Sequence, residues 1–138
     1  HLSIRRQRQM CIRDSYPALY AGSSISASLF ERLTIDPELL SSERYLLYSV
    51  MEFSIPESLI FIPKKEELPL DWNQIPAVRS SMEFGTNLLK SGILCFGVPS
   101  VVDPTSMNVV INPLAKSFPT LETKVYLLEL DKRILRST

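Results

Sequence analysis

Apolar residues in this chain change their period from one segment to the next, and that alternation restricts the fold more than any other feature. Ile25, Leu29, Phe30 and Leu33 recur at helical spacing and share one face. Over residues 45–55 the period is two. Leu47, Met51, Phe53 and Ile55 point one way and Tyr48, Val50 and Glu52 the other, the pattern of a half-buried strand. Residues 18–21 read as a short strand, and the Gly22-Ser23-Ser24 turn leads from it into the first helix. Val78, Met82 and Leu89 mark a second helix that stops at Gly92, and residues 93–98, 108–112 and 123–130 read as three more strands. Asp36-Pro37 breaks the first helix, Pro56 ends a strand, and residues 63–76, with prolines, paired charges and Trp72, form an irregular connection. Two main helices among short strands predict an α+β (mixed α/β) domain, and 138 residues suffice for one.

Composition narrows the classes. With 45% hydrophobic and 22% charged residues the chain sits near the average for soluble domains. No apolar run reaches the roughly 18 to 20 residues needed to cross a bilayer, and no signal peptide pattern opens the chain, so a cytoplasmic protein without a membrane partner is expected. Two cysteines are too few for a disulfide framework, and Cys95, between Leu94 and Phe96, reads as a buried strand position.

The formal charge of zero divides unevenly. Residues 1–15 hold Arg5, Arg6, Arg8 and Arg13 against Asp14 alone, a net of +3, and the remainder carries −3. An acidic body with no basic stripe and no nucleic-acid module argues against direct nucleic-acid binding. Residues 6–15 read like translated sequencing-library adapter, and the chain opens on His1. The expected division is a foreign or disordered tail over residues 1–15, packed outside the core, and a domain over 16–138 that lacks its N-terminal part.

Most catalytic signatures are missing. Gly22, Gly85, Gly92 and Gly97 are scattered, so no phosphate-binding loop forms. The one histidine is His1, which removes Ser-His-Asp and Cys-His catalysis and most zinc sites, and no metal is expected. A carboxylate, a tyrosine and a serine must carry any chemistry.

Two blocks suggest which ones. Residues 20–31 give a tyrosine, small and polar residues, then a helix ending in Glu31. Val98-Pro99-Ser100 is followed by Asn108-Val109-Val110-Ile111-Asn112-Pro113. Together they resemble the RES domain family, with support from Asp36-Pro37, Ile55-Pro56, Asp71-Trp72, Gly85 and residues 130–133; the likeness runs over about residues 16–135. The resemblance implies the toxin of a bacterial toxin–antitoxin pair, with an ADP-ribosyltransferase-like core that depletes NAD as its substrate and needs no cofactor. It also implies an antitoxin with a helix-turn-helix region encoded nearby, whose tail plugs the cleft, and a homodimer within the toxin–antitoxin complex. The acceptor could be water, phosphate or a protein, the last making the chain a mono-ADP-ribosyltransferase. A non-catalytic copy that only binds an antitoxin is the second alternative.

On this resemblance Glu31, Tyr20 and Ser100 are the catalytic candidates, with Asn108 and Asn112 binding or supporting. Cleaving the nicotinamide–ribose bond builds positive charge on the sugar, which a fixed carboxylate stabilises. Glu31 would share its helix face with Ser24, Ala27 and Ser28, all small, leaving room for a ligand. Tyr20 would stack on the nicotinamide or ribose or donate its hydroxyl. Composition alone makes Glu31 a solvated helix residue and Tyr20 an edge-of-core aromatic, and leaves Ser100 either a turn cap or a site residue. Asn108 and Asn112 share a strand face and favour structural hydrogen bonds. The family carries Arg-Trp-Asn about ten residues before the tyrosine, where this chain has Met10, and Arg13 is displaced by three residues. The chain as it stands is therefore expected not to consume NAD.

Overall fold

The computed structural model describes residues 16–74 and 79–137, and the backbone path of residues 2–11. Seven strands form one sheet in the order β4-β5-β6-β2-β1-β3-β7. They are β1 (Leu2–Cys11), β2 (Tyr16–Gly22), β3 (Ser49–Ser54), β4 (Ile60–Phe61), β5 (Cys95–Pro99), β6 (Met107–Ile111) and β7 (Glu122–Leu127). Among the described strand pairs only β4–β5 is parallel. Two helices, α1 (Ile25–Leu33) and α2 (Arg79–Lys90), complete the α+β fold. Among the described residues no helix is long and apolar enough to cross a membrane.

The register assigns the faces. Ala21 and Met51 both lie opposite Ile4, so they share one face, and Tyr20 and Val50 share the other. Both helices cover the Tyr20 face. Leu89 of α2 packs with Ala18, Phe96 and Val110, and Leu29 of α1 packs with Val50, Leu39 and Leu128. The opposite face carries Leu19, Ala21, Phe53, Cys95, Val109 and Ile111 under Ala115, Phe118 and Leu121 from the connection between β6 and β7. Phe53 and Phe118 meet there with ring centroids 6.0 Å apart.

Two expectations are corrected. The segment over residues 1–15 was expected outside the core, yet its backbone over Leu2–Cys11 pairs with β2 on one side and β3 on the other. The ladder is made by main-chain N–H and C=O groups that every residue except proline carries, so a strand needs no apolar alternation to be paired. Register breaks between Ile4 and Gln7 and between Gln9 and Cys11 accommodate the pairing. The single buried face expected for residues 45–55 does not exist. Arg44–Leu47 is a 3-10 turn that leaves Leu47 exposed, and β3 buries Val50 on one face and Phe53 on the other because both faces are covered. The short strand β4 had no period of its own to announce it. Val78 and Arg13 lie outside the described residues.

Other boundaries agree closely. Gly92, at φ 90°, closes α2 in the left-handed region that favours glycine. Cys95 is fully buried, and burial pushes its thiol up to about 11. Trp72 is half-buried beside the start of α2, where Ser81 donates to its carbonyl.

Candidate functional site

Glu31 is placed by the short link between β2 and α1. Ser24 caps the helix, its hydroxyl accepting from the Ala27 N–H at 3.1 Å. Ser23 is tied to β6 twice: its N–H donates to the Met107 carbonyl at 3.0 Å, and its hydroxyl accepts from the Met107 N–H at 3.2 Å. The helix then lies so close to β2 that the Gly22 N–H donates to Ser28 Oγ at 3.1 Å. A Cβ on Gly22 would stand 2.6 Å from Ser28 Oγ and 2.7 Å from the Ser28 backbone nitrogen, so only glycine fits this approach. Ala27 and Ser28 are buried in that contact. Their small size serves helix-to-strand packing.

The same approach carries Glu31 over the start of β6. Its Oε1 accepts from the Ser100 hydroxyl at 2.6 Å and from Asn108 Nδ2 at 2.7 Å. No other described side chain bonds to it, so Oε2 accepts no hydrogen bond and no cation reaches the carboxylate among the described residues. The two donors come from the two ends of one hairpin loop, which removes the broad rotation a terminal carboxylate otherwise has. Asn108 Oδ1 is buried and accepts nothing among the described residues. Leaving such an acceptor unpaired costs about 1–3 kcal/mol.

Ser100 is buried and its hydrogen has one direction left to take. Its Oγ accepts from the Asp103 N–H at 3.1 Å, which turns the hydroxyl hydrogen toward Glu31. Asp103 in turn folds the loop. Its Oδ1 accepts from the Thr105 N–H and hydroxyl, its Oδ2 from the Ser106 hydroxyl, and the Ser100 N–H donates to the Ser106 carbonyl. The hydroxyls of Thr105 and Ser106 and the Thr105 N–H hold the Asp103 carboxyl below its ordinary range. Sequence reasoning missed Asp103. The signal was the Asp-Pro-Thr-Ser run, an aspartate bonding the backbone two residues on.

Tyr20 is half-buried on β2, opposite Val110 and packed toward Leu89 and Phe96. Gly22 lies opposite Asn108, so Tyr20 and Asn108 are diagonal neighbours on the helix-covered face, a relation that spans roughly 7–8 Å in an antiparallel pair. The structure thus joins Glu31, Ser100 and Asn108 by hydrogen bonds and sets Tyr20 on the same face without bonding it to Glu31. Asn112 stands apart. Its Nδ2 donates to the carbonyls of Leu89 and Ile93, both at 3.0 Å, and its Oδ1 accepts from the Leu114 N–H. It fastens the end of α2 to β6, as a structural asparagine would. No group of three or more metal-ligating side chains occurs among the described residues.

Comparison with known proteins agrees with these blocks. The RES domain family model matches residues 7–131, a span that includes part of the N-terminal segment as well as Tyr20, Glu31, Ser100 and both asparagines. A protein of Photorhabdus laumondii named Toxin Res is 32% identical over 126 residues, covering 88% of this chain and 78% of its own length. A Yersinia enterocolitica protein of the same name is 31% identical over 114 residues, covering 80% of this chain and 71% of its own. Matched along most of its length by the family model and by both relatives, this chain belongs to the RES domain family.

Proposed function

We propose that this chain is the toxin of a toxin–antitoxin pair and acts by cleaving the nicotinamide–ribose bond of NAD, passing the ADP-ribosyl group to water or phosphate. The name of its relatives supports the first part. The Glu31 arrangement supports the second: a carboxylate fixed through one oxygen by neutral donors, with the other oxygen unbonded and no cation beside it among the described residues. As the carbon–nitrogen bond breaks, its electron pair neutralises the nicotinamide ring and positive charge appears on the ribose. A preorganised anion stabilises that charge without reorganising. Tyr20, on the same face, offers an aromatic surface for the ring or sugar. The partner is a helix-turn-helix antitoxin whose tail covers the Glu31 site, and the toxin is a homodimer within that complex.

The test follows NAD loss with two purified proteins: the chain as it stands, and a chimera in which the Yersinia relative's own N-terminal segment replaces residues 1–15. The chimera should consume NAD and the chain, with Met10 in place of the arginine, should not. A chimera that leaves NAD untouched and does not arrest growth when induced would contradict the enzymatic reading and favour a copy that only binds an antitoxin. Labelled NAD incubated with total cell protein separates the acceptors, because only a mono-ADP-ribosyltransferase leaves label on a polypeptide.

A further inference from the structure

Asn108 and Asn112 occupy the same face of one edge of the hairpin and are used in opposite ways. Asn112 employs both ends of its amide on backbone groups. Asn108 employs one end only, Nδ2 on Glu31 Oε1, while its buried Oδ1 stays unpartnered among the described residues. Turning the amide over would set Oδ1 against a carboxylate oxygen, so the orientation is fixed by chemistry. A leucine, similar in volume, would carry no orphaned acceptor. An amide here leaves a buried acceptor unpaired, and its side chain's one hydrogen bond among the described residues is to the candidate carboxylate.

We infer that Asn108 is a positioning residue, retained at a cost in stability because it and Ser100 fix Glu31 through Oε1 and leave Oε2 as the oxygen presented to the ligand. Ser100 alone would allow the carboxylate to swivel about its last torsion; a second donor from β6 removes that freedom. For the reaction the inference rests on the NAD-cleaving reading. The geometry of the clamp does not.

The test uses Asn108→Leu and Asn108→Ala, with thermal unfolding measured on the full chain and NAD kinetics on the chimera described above. The leucine variant should unfold at or above the parent's midpoint. Its kcat should fall about tenfold or more while KM stays within about twofold, since what is lost is orientation at the reacting centre. Added to Glu31→Gln, it should change the rate by less than about twofold, because two residues acting as one unit are not additive. A lowered midpoint in both variants would make Asn108 an ordinary structural amide, and an unchanged kcat or a full independent loss beside Glu31→Gln would equally overturn the inference. Should the chimera prove inactive, the NAD reading fails, and the thermal comparison still decides: a midpoint held or raised supports the inference and a fall overturns it.

Discussion

Two carboxylates five residues apart, Glu31 and Asp36, are held in opposite ways. Asp36 is buried, and both its oxygens accept from Arg44 Nε at 3.0 Å. The Tyr48 hydroxyl donates to Asp36 as well, while itself accepting from Arg32 Nε at 3.3 Å, and the Arg32 guanidinium lies 5.8 Å from the Tyr48 ring centre. Its charge is therefore matched and its oxygens are occupied. Among the described residues Glu31 meets only a hydroxyl and an amide, on one oxygen. A carboxylate bonded to a guanidinium is in its final electrostatic state, whereas one held by neutral donors keeps its charge available for something that arrives. Asp36 reads as a fastener between α1 and β3, and Glu31 as a group waiting for a positively charged partner.

That contrast can be broken by mutation, taken here in order of the loss of stability expected. Removing residues 1–15 should have the largest effect. Since β1 joins β2 to β3, the remaining strands would fall into two unconnected ribbons with four unpaired edges between them, and cooperative unfolding should disappear. A shortened chain that unfolds like the parent would restore the view of this segment as an appendage. Next comes Gly22→Ala, whose new methyl forces α1 off β2; overpacking of this kind costs about 1–3 kcal/mol and should lower the unfolding midpoint. An unchanged midpoint would show that the helix can move freely and that Glu31 is not fixed by it.

Asp36→Asn follows, with a signature in pH. The Tyr48 hydroxyl, together with Arg44, holds the folded Asp36 carboxyl below its ordinary 3.8. The unfolded chain therefore takes up the proton first, so the stabilisation is complete above the ordinary value and is lost as pH falls through the folded one. Acid titrations monitored by circular dichroism should show a gentler loss of stability below about pH 4 in Asp36→Asn than in the parent. Identical acid profiles would mean that the cluster does not fasten α1. Ser100→Ala should affect stability less, because Asp103 still folds its own loop, but should slow NAD loss in the chimera by about tenfold through the freed carboxylate. A rate equal to the parent's would show that Asn108 is sufficient by itself.

The contrast also explains what the sequence could convey. Helix α1, strand β6 and the end of α2 at Gly92 were legible because period and terminal residues are local signals. Glu31 and Ser100 were legible through the two blocks that resemble the family. That Asn108 holds Glu31 while Asn112 ties down α2 was not, since two asparagines at even spacing look alike until their partners, 77 and 23 residues away for Glu31 and Leu89, are in place. Asp36 was read as a helix breaker and as part of the family likeness but not as a fastener, because its pairing with Arg44 and Tyr48 depends on a turn that carries no period. Strand β1 was hidden for a different reason: its place rests on backbone pairing, to which side-chain pattern is nearly blind. The faces of β3 were misjudged because alternation identifies a buried face only when the other is wet.

The central claim is that the charge on Glu31 serves the ligand and not the fold, and Glu31→Gln tests it most directly. Glutamine keeps the size and can still accept from Ser100 and Asn108 through its amide oxygen, but carries no charge. Measured in the chimera beside its parent, the substitution should slow NAD consumption by about 10²-fold or more and leave the unfolding midpoint essentially where it was. A variant that consumes NAD at the parental rate, or one whose loss of activity is matched by a fall in midpoint as large as that of Asp36→Asn, would contradict the account.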